Sequence, residues 1–300
     1  MSREISPATG KAYGVKRVCA VLNVSRSTVY ARQKAASVPE SAPARRGPKP
    51  KVPDDALLEA IRADLDASPF VGEGHRKVWA RLKFGKGIRV SRKRVLRLMR
   101  EHNLLSPYRK PQGASKDHDG TIGTEAPNVM WGTDGARVFT VEEGYGWVFV
   151  AVEHWNAECM GVHVCKKGER MAALEPVAQG VLNQFGSIER GAARGLALRM
   201  DHGPQYISDH FHNQITAWGM APSFAFLREP ETNGVAERFI RTLKEQAIYG
   251  RIFQNLEEVR KAVAEFVDLY NREWRVEKNG LRSPYEMRDL QRLPEAACAC

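Results

Sequence analysis

The sequence predicts an α/β protein in which a mixed five-stranded sheet with flanking helices follows small all-α units. Three strand-like runs, MWGTDGARVFTV, GWVFVAVEHW and MGVHVCK, come in close succession after residue 128, as in an antiparallel meander. Helical and strand-like segments then alternate, which is typical of a sheet with helices on its faces. Before residue 106, apolar residues recur at helical spacing, and this pattern predicts the all-α units.

The charge of the chain is unevenly distributed. The 300 residues suggest two or three domains, and 43% hydrophobic with 27% charged residues is ordinary globular composition. Residues 1–120 contain 26 Lys and Arg against 11 Asp and Glu, whereas the remainder contains 20 against 24. A basic half joined to a slightly acidic half indicates a polyanion-binding module attached to a part with another function.

No run approaches the roughly 18 apolar residues of a membrane span, and the first residues lack the apolar centre of a signal peptide. We therefore expect no membrane partner and a cytoplasmic location. The five scattered cysteines are expected to be free thiols, and without a CxxC pair we expect no structural zinc site.

Residues 1–35 predict a helix-turn-helix. Asn23 can take up the left-handed turn conformation, and Ser25 can cap a second helix. The start of that helix supplies candidate DNA contacts, namely Arg26, Ser27 and Tyr30. A helical hairpin that does not bind DNA is the alternative.

A basic linker rich in Pro and Ala covers 36–53, and a second helical DNA-binding unit follows at 54–106. Its helices are expected at about 54–66, 75–84 and 91–102. The third helix has a basic face that either contacts DNA or is merely solvated; its candidate contacts are Lys93, Arg94 and Arg97. A second linker covers 107–127.

Three acids lie in the predicted sheet region, residues 128–250, which we expect to be the catalytic core. A helical extension and tail are expected to follow at 251–300. Asp134 lies within the first strand, Asp201 at the end of the fourth, and Glu237 near the start of the helix after the fifth. Acids on the core elements of one sheet can converge, and a carboxylate in an apolar strand is costly unless it is paired or binds a cation. Hard divalent ions prefer carboxylate oxygens, so the pattern predicts a metal site.

The helix that carries Glu237 has a cationic row. At 100° per residue, Glu237, Arg241 and Lys244 share one face, beside an apolar stripe. The two basic side chains are therefore candidate DNA contacts for substrate phosphates. The alternative is a solvated amphipathic helix.

Several motifs together resemble one family. They are W-x-x-D ending at Asp134, D-H-G-P-Q-Y starting at Asp201, the 35 intervening residues, N-G-x-A-E-R-F around Glu237, and Lys244 seven residues later. In this combination they resemble the retroviral-integrase-like DDE transposases of bacterial insertion sequences. The V-S-R-S-T-V-Y segment, Tyr270-Asn271 and Ser283-Pro284 extend the resemblance over most of the chain, although the family's usual Arg-Pro-His run is replaced by REWRVEKNGL.

The resemblance implies a ribonuclease-H-like core that binds two Mg²⁺ or Mn²⁺ ions. Asp134 would lie between both ions, and Asp201 and Glu237 would each complete one site. The implied activity is cleavage at insertion-sequence ends and joining of the 3′-hydroxyl ends to target DNA, by in-line attack. The implied partners are double-stranded DNA, further copies of the chain in a dimer or larger assembly, and an upstream reading-frame product. The implied location is the bacterial nucleoid when DNA is bound.

The sequence is compatible with other functions. A transcription regulator with two helix-turn-helix units, a nuclease that cuts without joining, and an inactive or domesticated integrase-like protein are the alternatives. Around the acids, His202 either contacts substrate or metal or supports a residue that does so. Three further residues are either DNA contacts or turn and cap residues: Gln205, Tyr206 and Asn233.

Overall fold

The structure is a computed structural model that describes residues 3–37, 51–106, 123–225 and 233–292. The chain divides into two units, Met1–Lys51 and Val52–Cys300. In the first unit, helices α1 (Gly14–Val21) and α2 (Arg26–Ser37) flank a turn in which Asn23 has φ 52°. Two short helices and the turn between them therefore lie where the sequence predicts them, and their assignment to a helix-turn-helix domain stays a prediction. Most of both predicted linkers, and the tail with Cys298 and Cys300, lie outside the described residues.

The second unit begins with three helices around a small apolar core, and they confirm the predicted helical segments. They are α3 (Asp54–Ala67), α4 (His75–Ala80) and α5 (Arg92–Glu101). A π-helical turn, Arg81–Gly85, extends α4. Ser91 caps α5, because its hydroxyl accepts a hydrogen bond from the Arg94 N–H at 3.3 Å. The core between the helices consists of Leu57, Ile61, Val78, Leu82, Val95, Leu98 and Met99.

The five described strands form one mixed sheet in the order β3-β2-β1-β4-β5. They are β1 (Met130–Thr140), β2 (Gly144–Glu153), β3 (Cys159–Cys165), β4 (Ala197–Met200) and β5 (Ala221–Phe224). The first three strands pair antiparallel, as the meander predicted, whereas β4 and β5 pair parallel beside β1. This architecture confirms the predicted α/β class, a ribonuclease-H-like sheet with helices ahead of it.

Both faces of the sheet are covered by helices. The helices are α6 (Arg170–Phe185), α7 (Asp209–Ala217), α8 (Gly234–Leu243), α9 (Leu256–Glu273) and α10 (Pro284–Arg292). Along β2, Val148, Val150 and Val152 point to a cluster with α8 and α9, while Phe149 and Ala151 point to one with α6 and α7. A strand buried on both faces is apolar at every position, which accounts for the continuous run GWVFVAV.

Buried polar side chains fasten the C-terminal helices to the edge of the sheet. The Asn271 side chain accepts from the Cys159 N–H and donates to the Cys159 carbonyl, both at 2.9 Å. Arg288 on α10 forms buried ion pairs with Glu158 and Glu153. The motif residue Asn271 therefore has a structural contact on the sheet.

Cys19, Cys159 and Cys165 are free thiols, as predicted. Of the helices in the described ranges, none is both long enough and apolar enough to cross a membrane.

Candidate active site

Strand register brings two of the predicted acids side by side. Gly132 on β1 pairs with Arg199 on the parallel strand β4. Asp134 lies two residues beyond Gly132, and Asp201 lies two residues beyond Arg199. The two acids are therefore at the same level along two neighbouring parallel segments of the backbone. Adjacent strands are about 4.8 Å apart, which places the two backbones next to each other.

The third acid, Glu237, is exposed on the first turn of α8, and a hydrogen bond ties the start of α8 to β1. The Asn233 Nδ2 atom donates to the carbonyl oxygen of Thr133 at 3.1 Å. Close approach here depends on Gly132, because a Cβ atom at that position would lie 2.8 Å from Asn233 Oδ1. This contact brings the helix of Glu237 against the strand of Asp134.

The pKa of Asp134 is affected by both of the other acids. Burial raises the pKa of Asp134 to about 7, although the Gly135 N–H, donating at 2.7 Å, opposes the rise. Asp201 and Glu237 raise the pKa further by repulsion, and Lys244 lowers it. As the side chains lie, no three His, Cys, Asp or Glu residues in the described ranges enclose a metal-sized space.

The turn after β4 positions Asp201. Its Oδ1 atom accepts a hydrogen bond from the Gly203 N–H at 2.8 Å. Tyr206 is fully buried, and its hydroxyl lies 3.5 Å from Thr133 Oγ1, so its side chain connects the turn to β1. His202 is exposed and stacks on Phe224 with ring centroids 5.1 Å apart.

A cleft opens over two of the acids and the predicted cationic row. Its lining consists of Asp134, Gly135, Glu237, Ile240, Arg241, Lys244 and Tyr249. Arg241 is exposed and Lys244 is half-buried. From Lys244 to Ile248 the chain forms a π-helical turn, which ends at Tyr249. Tyr249 was not among the residues predicted for this site; the signal for it in the sequence is an aromatic residue between the cationic row and Gly250.

The other candidate DNA contacts lie on α2 and α5. Arg26, Ser27 and Tyr30 are exposed on α2. On α5, Lys93 is exposed and its two companions pair with Asp54: Arg94 Nε at 2.8 Å and Arg97 Nη2 at 2.6 Å. The charge of these two arginines is therefore partly neutralised within the chain.

Within the second unit, the segment between α3 and α4 contacts the π-helical turn Lys244–Ile248. The Gln246 amide accepts from the Val71 N–H and donates to the Val71 carbonyl, both at 2.9 Å. Beside it, the Phe70 ring packs edge-on against Trp274 with centroids 4.9 Å apart. The turn that starts at Lys244 is thereby connected to the first helices of this unit.

Comparison with known families and proteins gives matches over both helical and sheet regions. Residues 53–112 match the family described as HTH-like domain, and residues 219–276 match the integrase core domain. The chain is 27% identical over 284 residues to the transposase for insertion sequence element IS629 of Shigella sonnei, covering 91% of each. It is 28% identical over 226 residues to transposase InsD for insertion element IS2A/D/F/H/I/K of Escherichia coli, covering 71% of this chain and 72% of that protein.

Solved structures resemble the chain more distantly. A chain of the simian T-cell lymphotropic virus intasome in complex with PP2A regulatory subunit B56 gamma is 14% identical, with a TM-score of 0.43 and 72% of each chain covered. The HTLV-2 integrase catalytic core domain in complex with magnesium (trimeric form) is 15% identical, with a TM-score of 0.38, covering 54% of this chain and 97% of that chain. The family is therefore assigned from the two family matches and the transposase relatives, with which the sheet order agrees, and not from these solved structures. The chain is a homologue of the insertion-sequence transposases and an enzyme of the DDE transposase and integrase class, with an HTH-like domain and an integrase core.

Proposed function

We propose that this chain cleaves phosphodiesters at the ends of an insertion sequence and joins the resulting 3′-hydroxyl ends to target DNA. Asp134, Asp201 and Glu237 would hold two divalent ions, Mg²⁺ or Mn²⁺. The observations that support the proposal are the strand register that sets Asp134 beside Asp201 and the cleft that Asp134 and Glu237 line together.

The donor chemistry of the three acids fits such ions. Carboxylate oxygens are hard ligands, and Mg²⁺ in phosphoryl-transfer sites uses few carboxylates plus substrate phosphate. Without a cation, three neighbouring carboxylates repel one another, which favours a wider spacing than a closed metal site needs. When bound, the ions supply Lewis-acid activation of the attacking hydroxyl and stabilisation of the leaving oxygen.

The residues of the chain hold the substrate around this point. Arg241 and Lys244 line the cleft with Asp134 and Glu237, so they can bind the phosphates that flank the scissile bond. Asn233 positions α8 on β1 through its bond to Thr133. The exposed residues Arg26, Ser27, Tyr30 and Lys93 would also bind DNA. Arg94 and Arg97 would contact DNA in the same way, although each shares its charge with Asp54.

Two copies or more are needed to hold both element ends for a joint reaction, so the working form is proposed to be a dimer or larger assembly on DNA. An upstream reading-frame product is proposed as a further partner. Size measurement of the DNA-bound complex by light scattering tests the assembly directly.

The deciding experiment supplies labelled element ends, a plasmid target and Mg²⁺ or Mn²⁺ to the purified chain. The ends are taken from the inverted repeats that flank the gene. Joined product supports the proposal, and its absence in the Asp134→Asn variant assigns the activity to this site. Cutting without joining would indicate a nuclease, and binding without cutting would indicate a regulator or an inactive protein.

A further inference from the structure

We infer that the ring of Tyr249 stacks on a DNA base next to the phosphate that the cleft receives. The inference rests on the proposed function and deepens it, because it adds a base contact to a site whose other lining side chains are carboxylates, cations and one isoleucine. Its ligand is a nucleobase that has left the duplex stack.

The position of Tyr249 has no evident use within the fold. Its side chain is 63% exposed, and among the described residues it belongs to none of the apolar clusters and stacks on no other ring. Its two predecessors behave differently, since Ala247 is buried and Ile248 packs against the core. An exposed aromatic side chain in the wall of a polar cleft is suited to bind a ligand with a flat apolar face.

The backbone holds Tyr249 at a fixed place relative to Lys244. The Tyr249 N–H donates to the Lys244 carbonyl oxygen at 2.7 Å and closes the π-helical turn. The Gln246 side chain, within the same turn, is held by both backbone groups of Val71. One short turn therefore carries a phosphate-binding cation at its start and an aromatic ring at its end.

This combination matches the two parts of a nucleotide. A cation binds the phosphate, and an aromatic ring binds the base face without reading its sequence. A protein partner would offer no repeating anion beside a flat ring.

Photocrosslinking tests the contact. Element-end DNA carries 5-iodouracil at single positions on either side of the scissile phosphate, and the crosslinked peptide is identified by mass spectrometry. We expect crosslinking to Tyr249 at one of these positions in the full chain. Tyr249→Phe should retain the crosslink, whereas Tyr249→Ala should lose it and reduce single-turnover cleavage on the order of tenfold.

A second tyrosine provides the matched control. Tyr145 is also 63% exposed, but it pairs with Phe139, five residues along β1 from Asp134. Tyr145→Ala should crosslink and cleave as the wild type does. Wild-type cleavage with no crosslink at Tyr249 and an unimpaired Tyr249→Ala variant would overturn the stacking contact alone. A wild type that neither binds nor cuts element ends would overturn the proposed function and this inference together.

Discussion

Asn233 at the start of α8 donates a hydrogen bond over 3.1 Å to the carbonyl of Thr133 on β1. Thr133 is the neighbour of Asp134, and Asn233 precedes Glu237 by one helical turn. Both bonded residues are buried, so water does not compete for the contact. One hydrogen bond thus joins the two elements that carry the first and third acids.

Loss of this bond should disturb the site without unfolding it. Asn233→Ala and Asn233→Asp both remove the donor, and we expect each to reduce the cleavage rate about tenfold and to raise the Mn²⁺ concentration for half-maximal rate. Binding of element ends should stay unchanged. Asn255→Ala is the control, because Asn255 caps α9 away from the cleft. An unaltered Mn²⁺ dependence in both Asn233 variants would show that the bond does not position the acids.

Neutral replacements of the three acids should stop both reactions. Asp134→Asn, Asp201→Asn and Glu237→Gln keep the side-chain shape but remove a negative charge, so cleavage and strand joining should fall below detection together. The thermal unfolding temperature should not fall, because the substitutions relieve repulsion between the carboxylates, and binding of element ends should persist. Glu245→Gln, an exposed acid beside Lys244, is the control and should remain active. Near wild-type joining by any of the three variants would remove that residue from the metal site.

Lys244→Ala should weaken contact with the element end while metal binding survives. Lys244 lines the cleft and lowers the pKa of Asp134, so it lies close to the acids as a cation for a phosphate. We expect reduced crosslinking to terminal nucleotides and a several-fold lower cleavage rate, measured at fixed salt. Lys261→Ala, an exposed lysine on α9, controls for loss of charge. Unchanged terminal crosslinking in Lys244→Ala would contradict the phosphate contact.

Two arginine-to-methionine substitutions should differ in their cost to stability. Arg288→Met leaves the buried Glu158 and Glu153 without their cation, which should lower the free energy of unfolding by about 3–5 kcal/mol. Arg272→Met breaks an exposed ion pair with Asp268, worth about 0–1 kcal/mol. Denaturant titration of both variants measures the difference. Equal, small losses would mean that the Arg288 pairs do not hold α10 to the sheet.

His154 should make stability depend on pH. Burial lowers its pKa to about 4, and the charges of Lys278 and Arg199 add to the effect. Between this value and about 6.5 in the unfolded chain, the unfolded state binds more protons, so the free energy of unfolding falls as pH falls. From pH 7 to 4, the wild type should lose about 3 kcal/mol more than His154→Gln. Parallel pH curves for the two proteins would rule out a neutral, buried imidazole.

Local patterns were sufficient for the elements of the fold. The runs after residue 128 predicted the meander, and the apolar stripe of α8 predicted its buried side, where Ala236, Ile240 and Leu243 lie. These features depend on the side-chain periods of strands and helices, which are visible in a short window. The acids lie on the elements that were expected to carry them: β1, the end of β4 and the start of α8.

Contacts between segments that are distant in the sequence could not be predicted from such local patterns. The sequence by itself determined the α/β class, the positions of the acids on their elements and the cationic row of α8, because each follows from residue type and local period. Only the tertiary structure decided that Asp54 pairs with Arg94 and Arg97, about 40 residues away, and that Tyr249 enters the cleft wall. A basic or aromatic side chain has the same local pattern whether it meets an acid, a core or solvent, so its partner depends on how the chain folds back on itself.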